Sequence, residues 1–130
     1  AWKISDGSDV TIIATGHMVW YAIQSAKNLQ NQGVSCDVLN IHTIKPIDEQ
    51  AILESVSKTK CVVTAEEHSR HGGLGDAVAQ VLSMNLPTPH EYVAVNDTFG
   101  ESGKPVDLLK KYGLDVSDIE AAAKKAIERK

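Results

Sequence analysis

Apolar segments that alternate with helix-like segments constrain the fold of this 130-residue chain more than any other feature. The segments are, in chain order, "DVTIIATG", "VSCDVLNIH", "CVVTA" and "EYVAVND". Continuous apolar runs are typical of strands that are buried on both faces, as the strands of a parallel sheet are. Strands that alternate with helices of ten or more residues imply crossover connections and a parallel sheet. The sequence therefore predicts an α/β fold.

A further strand is predicted at the start of the chain, where "WKIS" precedes the first long apolar run. The two are joined by "DGSD", a turn signal of the hairpin type, so we expect "WKIS" to form an antiparallel edge by a hairpin. The predicted architecture is a three-layer sandwich in one domain, residues 1–130. Its sheet is five-stranded and mostly parallel, with an antiparallel N-terminal edge strand.

Three helix ends carry recognisable signals. Gly33 follows the first long helical segment, at the position where a left-handed residue ends a helix. Asp48 is predicted to cap the start of the second helix, and "SDIE" predicts a capping box between Ser117 and Glu120 in the last helix.

Composition excludes several classes of function. A net charge of −4 argues against a general nucleic-acid binder, and no apolar run approaches the roughly 20 residues of a membrane span. Cys36 and Cys61 lie in strand-like runs, which predicts reduced core residues and a cytoplasmic protein. Because the chain begins at Ala1 without a methionine, we expect it to be a piece of a longer protein.

Polar residues follow the predicted parallel strands at the edge where such sheets bind ligands. With Gly16, the residues at these strand ends are His17, His42, Thr43, Glu66, Glu67, His68, Asn96, Asp97 and Thr98. One interpretation is a site for an anion or a metal, and the other is that loop ends are polar because they are solvated. No pair has close chelating spacing, so we expect no metal site. Adjacent Glu66 and Glu67 should point to opposite faces of an extended segment.

The segment "EEHSRHGGLGDAV" also admits two interpretations. A glycine-rich helix start can bind an anion, and the candidate residues for such a site are His17, His68, Gly72, Gly73 and Gly75. The alternative, which we favour, is a packing turn. Gly72 and Gly73 would then need unusual φ values, and Gly75 would let the helix approach the sheet.

Signatures of other chemistry are weaker. The spacing of the glycines departs from the dinucleotide-binding G-x-G-x-x-G motif, and the chain has no G-x-S-x-G sequence. No cysteine has the local context of a catalytic thiol. None of these signatures identifies a candidate catalytic residue.

Taken in order and spacing, four segments closely resemble the C-terminal domain of transketolase. They are "DVTIIATG", "IHTIKPID", "VVTAEEHSRHGGLGDAVA" and "DTFGESGKPVDLLKKYGL". The resemblance covers essentially the whole chain and is greatest to transketolases that are split into two polypeptides. 1-Deoxyxylulose-5-phosphate synthase and the beta subunit of 2-oxo-acid dehydrogenases have the same domain, but "IKPID" together with "FGESGKP" favours transketolase.

The resemblance implies an architectural rather than a catalytic role. In transketolases, other domains bind thiamine diphosphate and a divalent metal, magnesium or calcium, and the G-D-G motif of the diphosphate site does not occur here. The C-terminal domain helps to build a homodimer, so the implied partners are the other transketolase domains or a separate subunit. A regulatory module that binds an anion or a nucleotide remains the alternative function.

Overall fold

The computed structural model describes residues 1–69, 73–95 and 115–130 of the chain. Within these ranges, the strands are β1 (Trp2–Ser5), β2 (Val10–Ala14), β3 (Cys36–Asn40), β4 (Val62–Ser69) and β5 (His90–Val95). The helices are α1 (Met18–Asn31), α2 (Glu49–Thr59), α3 (Leu74–Asn85) and α4 (Val116–Glu128). No helix in the described ranges is both long and apolar enough to cross a membrane.

The five strands form one sheet in the order β1-β3-β2-β4-β5. β1 runs antiparallel to β3, and the other three pairings are parallel. This arrangement confirms the predicted α/β class, the five-stranded sheet and the antiparallel N-terminal edge strand.

The predicted hairpin between β1 and β2 is wrong, because β1 pairs with β3. Both edges of β2 are already occupied, by β3 on one side and β4 on the other. The "DGSD" segment instead carries the chain past the start of β3. There the Gly7 backbone N–H donates to Asp37 Oδ1 at 3.0 Å, and the Ser8 N–H donates to Ser35 Oγ at 2.7 Å. A turn signal alone does not identify which strand is paired.

Helices cover both faces of the sheet, which confirms the three-layer sandwich. All five residues of β2 are buried, and its four apolar residues divide between two core clusters. Val10, Ile12 and Ala14 pack in the cluster that includes residues of α1 and α4, whereas Ile13 packs in the cluster that includes residues of α2 and α3. Burial on both faces is the physical reason for the uninterrupted apolar run.

Two of the predicted helix ends are confirmed. Gly33 adopts a φ of 84°, and the N–H of Val34 donates to the carbonyl oxygen of Leu29 at 2.9 Å, which closes α1 with a Schellman motif. Asp48 Oδ1 accepts from the Ala51 N–H at 3.1 Å and so caps α2.

The capping box predicted between Ser117 and Glu120 is wrong. α4 begins at Val116, and its box is formed by Asp115 and Asp118. The backbone N–H of Asp115 donates to Asp118 Oδ2 at 2.9 Å. An aspartate two residues earlier satisfies the free N–H groups at the helix start, because its carboxylate is the stronger acceptor.

A buried polar network joins β3, α2 and the β1–β2 connection at the amino ends of the parallel strands. Asp37 is fully buried, and its carboxylate accepts from Ser55 Oγ, Lys58 Nζ and the Gly7 N–H. Burial alone would raise the pKa of Asp37, but these hydrogen bonds and the nearby Lys3 hold that pKa below its ordinary value. The network therefore holds the Gly7 turn firmly against β3.

The two cysteines are buried and free, which confirms the prediction of reduced core residues. Cys36 pairs with Val10 on one side of β2, and Cys61 precedes β4 on the other side. Two strand spacings, roughly 10 Å, separate them, which is too far for a disulfide.

Candidate functional site

At the carboxyl ends of the parallel strands, the structure brings together His17 and Glu67. His17 Nδ1 lies 3.2 Å from Glu67 Oε1, next to a shallow cavity of about 200 Å³ that Thr15 and Gly16 also line. The His17 side chain is 85 % exposed. Glu67 Oε1 is buried and accepts no hydrogen bond within the described part of the chain. The Glu67 side chain is 34 % exposed and His17 is mostly exposed, so water screens this ion pair and it contributes little to stability, although one carboxylate oxygen is buried.

The other residues predicted at this edge are dispersed or lie outside the described ranges. His42 is exposed. The sequence suggested that Glu66, Glu67 and His68 follow the strand. β4 instead extends to Ser69, so these three residues lie within it. The pairing with β5 shifts in register between Ala65 and Ser69, and this shift accommodates the extension. Gly72, Asp97 and the side chain of His68 lie outside the described part of the chain.

Glu66 has a role that the sequence analysis missed. It is 1 % exposed, and its two carboxylate oxygens accept from the Leu74 N–H at 2.8 Å and the Gly75 N–H at 2.7 Å. A helix start attracts negative charge because its first N–H groups have no partner within the helix. Here the carboxylate comes from the chain itself. Alternation along β4 could have found it, because Val62 and Glu66 share the strand face that α2 and α3 cover.

The expectation that Glu66 and Glu67 point apart is confirmed. Glu66 faces the start of α3, whereas Glu67 faces His17 at the start of α1. The two carboxylates therefore lie on opposite faces of the sheet and form no joint site.

At Gly73, the predicted need for unusual backbone geometry is wrong. Its φ is −97°, an ordinary value, and its carbonyl oxygen accepts the N–H of Ala77 at 3.1 Å as the first bond of α3. The chain simply enters the helix from an extended residue. Anion binding at His17, His68, Gly72, Gly73 and Gly75 stays a prediction, and the N–H of Gly75 already has Glu66 as its acceptor.

Gly75 confirms the packing interpretation. A Cβ atom at this position would lie 2.3 Å from Tyr92 Cε2 and 3.1 Å from Thr64 Oγ1. The Tyr92 ring stacks on His90 at a centroid distance of 4.3 Å, and His90 Nε2 lies 2.7 Å from Thr64 Oγ1. Burial lowers the pKa of His90 to about 4, so this imidazole is neutral at pH 7. Only a residue without a side chain lets α3 approach the sheet here.

Replacing Gly75 by valine should therefore lower the free energy of unfolding by about 2 kcal/mol or more, the usual cost of overpacking a filled interior. Thermal melting with and without phosphate measures the effect. The matched control is Ser83→Val, which puts the same side chain on the exposed face of the same helix. If Gly75→Val melts like the control but loses phosphate-dependent stabilisation, the packing interpretation is incorrect.

Comparison with known proteins identifies the family. The family model described as transketolase, C-terminal domain, matches residues 1–119. The chain is 49 % identical over 127 residues to the 6-deoxy-6-sulfo-D-fructose transketolase subunit of Clostridium sp. (strain MSTE9), covering 98 % of this chain and 39 % of that protein. It is 35 % identical over 121 residues to 1-deoxy-D-xylulose-5-phosphate synthase 1 of Geobacter sulfurreducens, covering 92 % of this chain and 19 % of that protein.

A solved structure agrees with the sequence comparisons. The chain described as "Split gene transketolase, inactive beta4 tetramer" matches with a TM-score of 0.94 and 48 % identity. The match covers 98 % of this chain and 42 % of the solved one. The chain thus spans about two fifths, or less, of the length of the relatives it matches. It belongs to the transketolase C-terminal domain family.

Proposed function

We propose that this chain is the C-terminal, architectural part of a transketolase that depends on thiamine diphosphate. The complete enzyme would move a two-carbon ketol unit from a ketose phosphate to an aldose phosphate. One observation supports an architectural role. The buried carboxylate of Glu66 on β4 accepts two backbone hydrogen bonds from the start of α3 and so holds the strand and the helix together. The residues that perform the chemistry would lie in the rest of the enzyme.

The described residues of this chain do not fit thiamine diphosphate. Its diphosphate needs a metal with several oxygen ligands, and its activation needs a carboxylate in a water-excluding site. Both carboxylate oxygens of Glu66 already accept from N–H groups at the start of α3, and Glu67 faces His17, whose side chain is exposed to water. We therefore assign the cofactor and a divalent metal, magnesium or calcium, to other domains of the complete enzyme.

The proposed partners are those other domains, on the same chain or on a separate subunit, and a second copy in a homodimer. One relative is named as a transketolase subunit, and the solved neighbour is described as a split-gene product. A cytoplasmic location is part of the proposal, and the free thiols of Cys36 and Cys61 support it.

The second candidate is a regulatory module that binds an anion or a nucleotide at the carboxyl edge. The cavity beside His17 and Glu67 favours it. A titration with sugar phosphates and nucleotides, followed by chemical shifts, separates the two candidates. Saturable shifts centred on Thr15, Gly16 and His17 would support the regulatory module. The equivalent domain of 1-deoxyxylulose-5-phosphate synthase is disfavoured, because identity falls from 49 % with the transketolase subunit to 35 % with the synthase.

We expect the 130 residues alone neither to bind thiamine diphosphate nor to convert xylulose 5-phosphate and ribose 5-phosphate. Calorimetry with thiamine diphosphate and magnesium should give no saturable heat, and a coupled assay should stay at background. Adding the missing domains, fused or as a separate subunit, should restore turnover. Saturable cofactor binding by this chain alone would contradict the architectural assignment.

A further inference from the structure

The first turn of α3 rests on a cluster of three side chains that the proposed function does not use. His90 and Tyr92 belong to β5, and Thr64 belongs to the neighbouring strand β4. The two rings stack with their centroids 4.3 Å apart and 15° between their planes, and His90 Nε2 lies 2.7 Å from Thr64 Oγ1. We call these three residues the His90 cluster.

Tyr92 connects this cluster to α3 at two consecutive residues. Gly75 lies so close to the Tyr92 ring that an added Cβ atom would be 2.3 Å from Cε2. The Tyr92 hydroxyl donates a hydrogen bond to Asp76 Oδ1 at 3.2 Å. The place of the Tyr92 ring therefore decides how closely α3 approaches the sheet, and the stacked His90 ring holds the Tyr92 ring in that place.

The surroundings of His90 favour its neutral form. Thr64 is 1 % exposed, and its hydroxyl is an uncharged partner. Burial is the main reason why the pKa of His90 falls to about 4, from an ordinary value of 6.5. A proton would put a charge on a ring whose neighbours are this hydroxyl and the Tyr92 ring, so water would solvate the charged ring better.

The charges closest to His90 on β5 and α4 are paired with one another. Glu91, the next residue, faces α4, where it pairs with Lys125 and Arg129. Arg129 also donates to the His90 carbonyl oxygen at 3.2 Å. Burial affects the pKa of His90 more than either charge, of which Glu91 raises that pKa and Arg129 lowers it.

Two further titratable groups lie at the start of α3. Burial lowers the pKa of His90 more than Asp76 raises it, and Asp76 already accepts from Tyr92. Both oxygens of Glu66, on β4, accept from the first N–H groups of α3. A test of His90 must therefore separate its titration from that of these two carboxylates.

We infer that His90 makes the contact between the sheet and the first turn of α3 sensitive to acid. A proton on the ring would break its contacts with Thr64 and Tyr92, because the charged ring moves to water. His90 is the first residue of β5 and is partly exposed, so a change of rotamer can produce this movement. Without the stacked ring, Tyr92 no longer holds Gly75 and Asp76, and the start of α3 opens.

The direction of the effect follows from proton binding. Between pH 6.5 and about 4, the open form binds a proton at His90 whereas the closed form does not. A fall in pH through this window therefore favours the open form. One such proton raises the opening equilibrium constant about twentyfold between about pH 7 and about pH 5. Below about pH 4 both forms are protonated, so we expect no further change.

Native-state hydrogen exchange at low urea concentrations measures this opening. The N–H groups of Gly75 and Ala77 should exchange through an opening with little urea dependence, about twentyfold more populated at about pH 5 than at about pH 7. The N–H of Ala22, buried in α1, should exchange only through global unfolding, with a strong urea dependence. If all three show the same urea dependence at both pH values, the start of α3 does not open separately and the inference is wrong.

Two variants identify the titrating group. In His90→Gln, the amide can still hydrogen-bond to Thr64 but gains no proton, so the opening should lose its rise between the two pH values. His42→Asn removes an exposed imidazole and should keep the wild-type rise. The same rise in His90→Gln as in the wild type would assign the effect to Glu66 or Asp76 and overturn the inference.

The wild-type chain also provides a measurement that needs no variant. The chemical shifts of the His90 ring should titrate with a midpoint at about pH 4, and those of the Tyr92 ring should follow with the same midpoint. A midpoint near the ordinary value of 6.5 for His90 would contradict the inference. The inference is independent of the proposed function, because calorimetry with thiamine diphosphate tests that function and none of these measurements does.

Discussion

Replacing Gly7 by alanine is expected to lower the free energy of unfolding by about 3 kcal/mol or more, at the upper end of the range for overpacking. A Cβ atom at Gly7 would lie 2.2 Å from the carbonyl carbon of Cys36 and 2.4 Å from its oxygen. Both atoms belong to the backbone of β3, so no side-chain rotation can relieve the overlap. Urea denaturation, followed by circular dichroism, measures the loss.

The surroundings of Gly7 also prevent the turn from moving away. Its N–H donates to the buried Asp37, which in turn accepts from Ser55 and Lys58. A shift of the turn would break this network, and a buried carboxylate that loses a donor is costly. The neighbouring control is Ser8→Ala, at an exposed position, which should change stability by less than about 0.5 kcal/mol. Equal stabilities for the two variants would show that the backbone of β3 can shift to accommodate the added methyl group, despite the hydrogen bonds that hold it.

Removing the negative charge of Glu66 should produce the second large loss of stability. Glu66→Gln keeps one acceptor oxygen but turns an amide N–H₂ towards a backbone N–H that now has no acceptor. Two charge-assisted hydrogen bonds in a buried site would be weakened or lost, so we expect a loss of about 3 kcal/mol. Chemical denaturation measures it, and hydrogen exchange should show the largest change at Leu74 and Gly75.

The neighbouring glutamate provides the control for that experiment. Glu67→Gln removes the same charge one residue later, where the carboxylate faces the exposed His17 instead of a helix start. Glu67 is half-buried but its partner His17 is exposed, so water screens the ion pair and this variant should lose less than about 1 kcal/mol. If the two variants are equally stable, Glu66 does not stabilise the start of α3, and that helix start becomes a stronger candidate for binding an external anion.

Some predictions from the sequence depended on contacts within a few residues, and these are confirmed. Gly33 ends α1 through hydrogen bonds to the preceding turn, and Asp48 caps α2 through the N–H of Ala51, three residues later. The capping box of α4 is the exception. Asp115 and Ser117 are both able to cap the helix start, and only the structure shows that Asp115 does so. For the candidate site, the sequence correctly separated Glu66 from Glu67, since alternation along a strand requires no knowledge of the fold.

The sequence by itself determined the class of the fold. Uninterrupted apolar runs separated by helix-length segments have few other ways to bury their side chains. Tertiary structure alone decided which strand pairs with β1, what Glu66 binds and what Gly75 packs against. Each of these contacts joins segments that are distant in sequence, such as Gly7 with Asp37 or Gly75 with Tyr92. A local pattern specifies that a turn or a close approach occurs, whereas the partner depends on how the whole sheet is ordered.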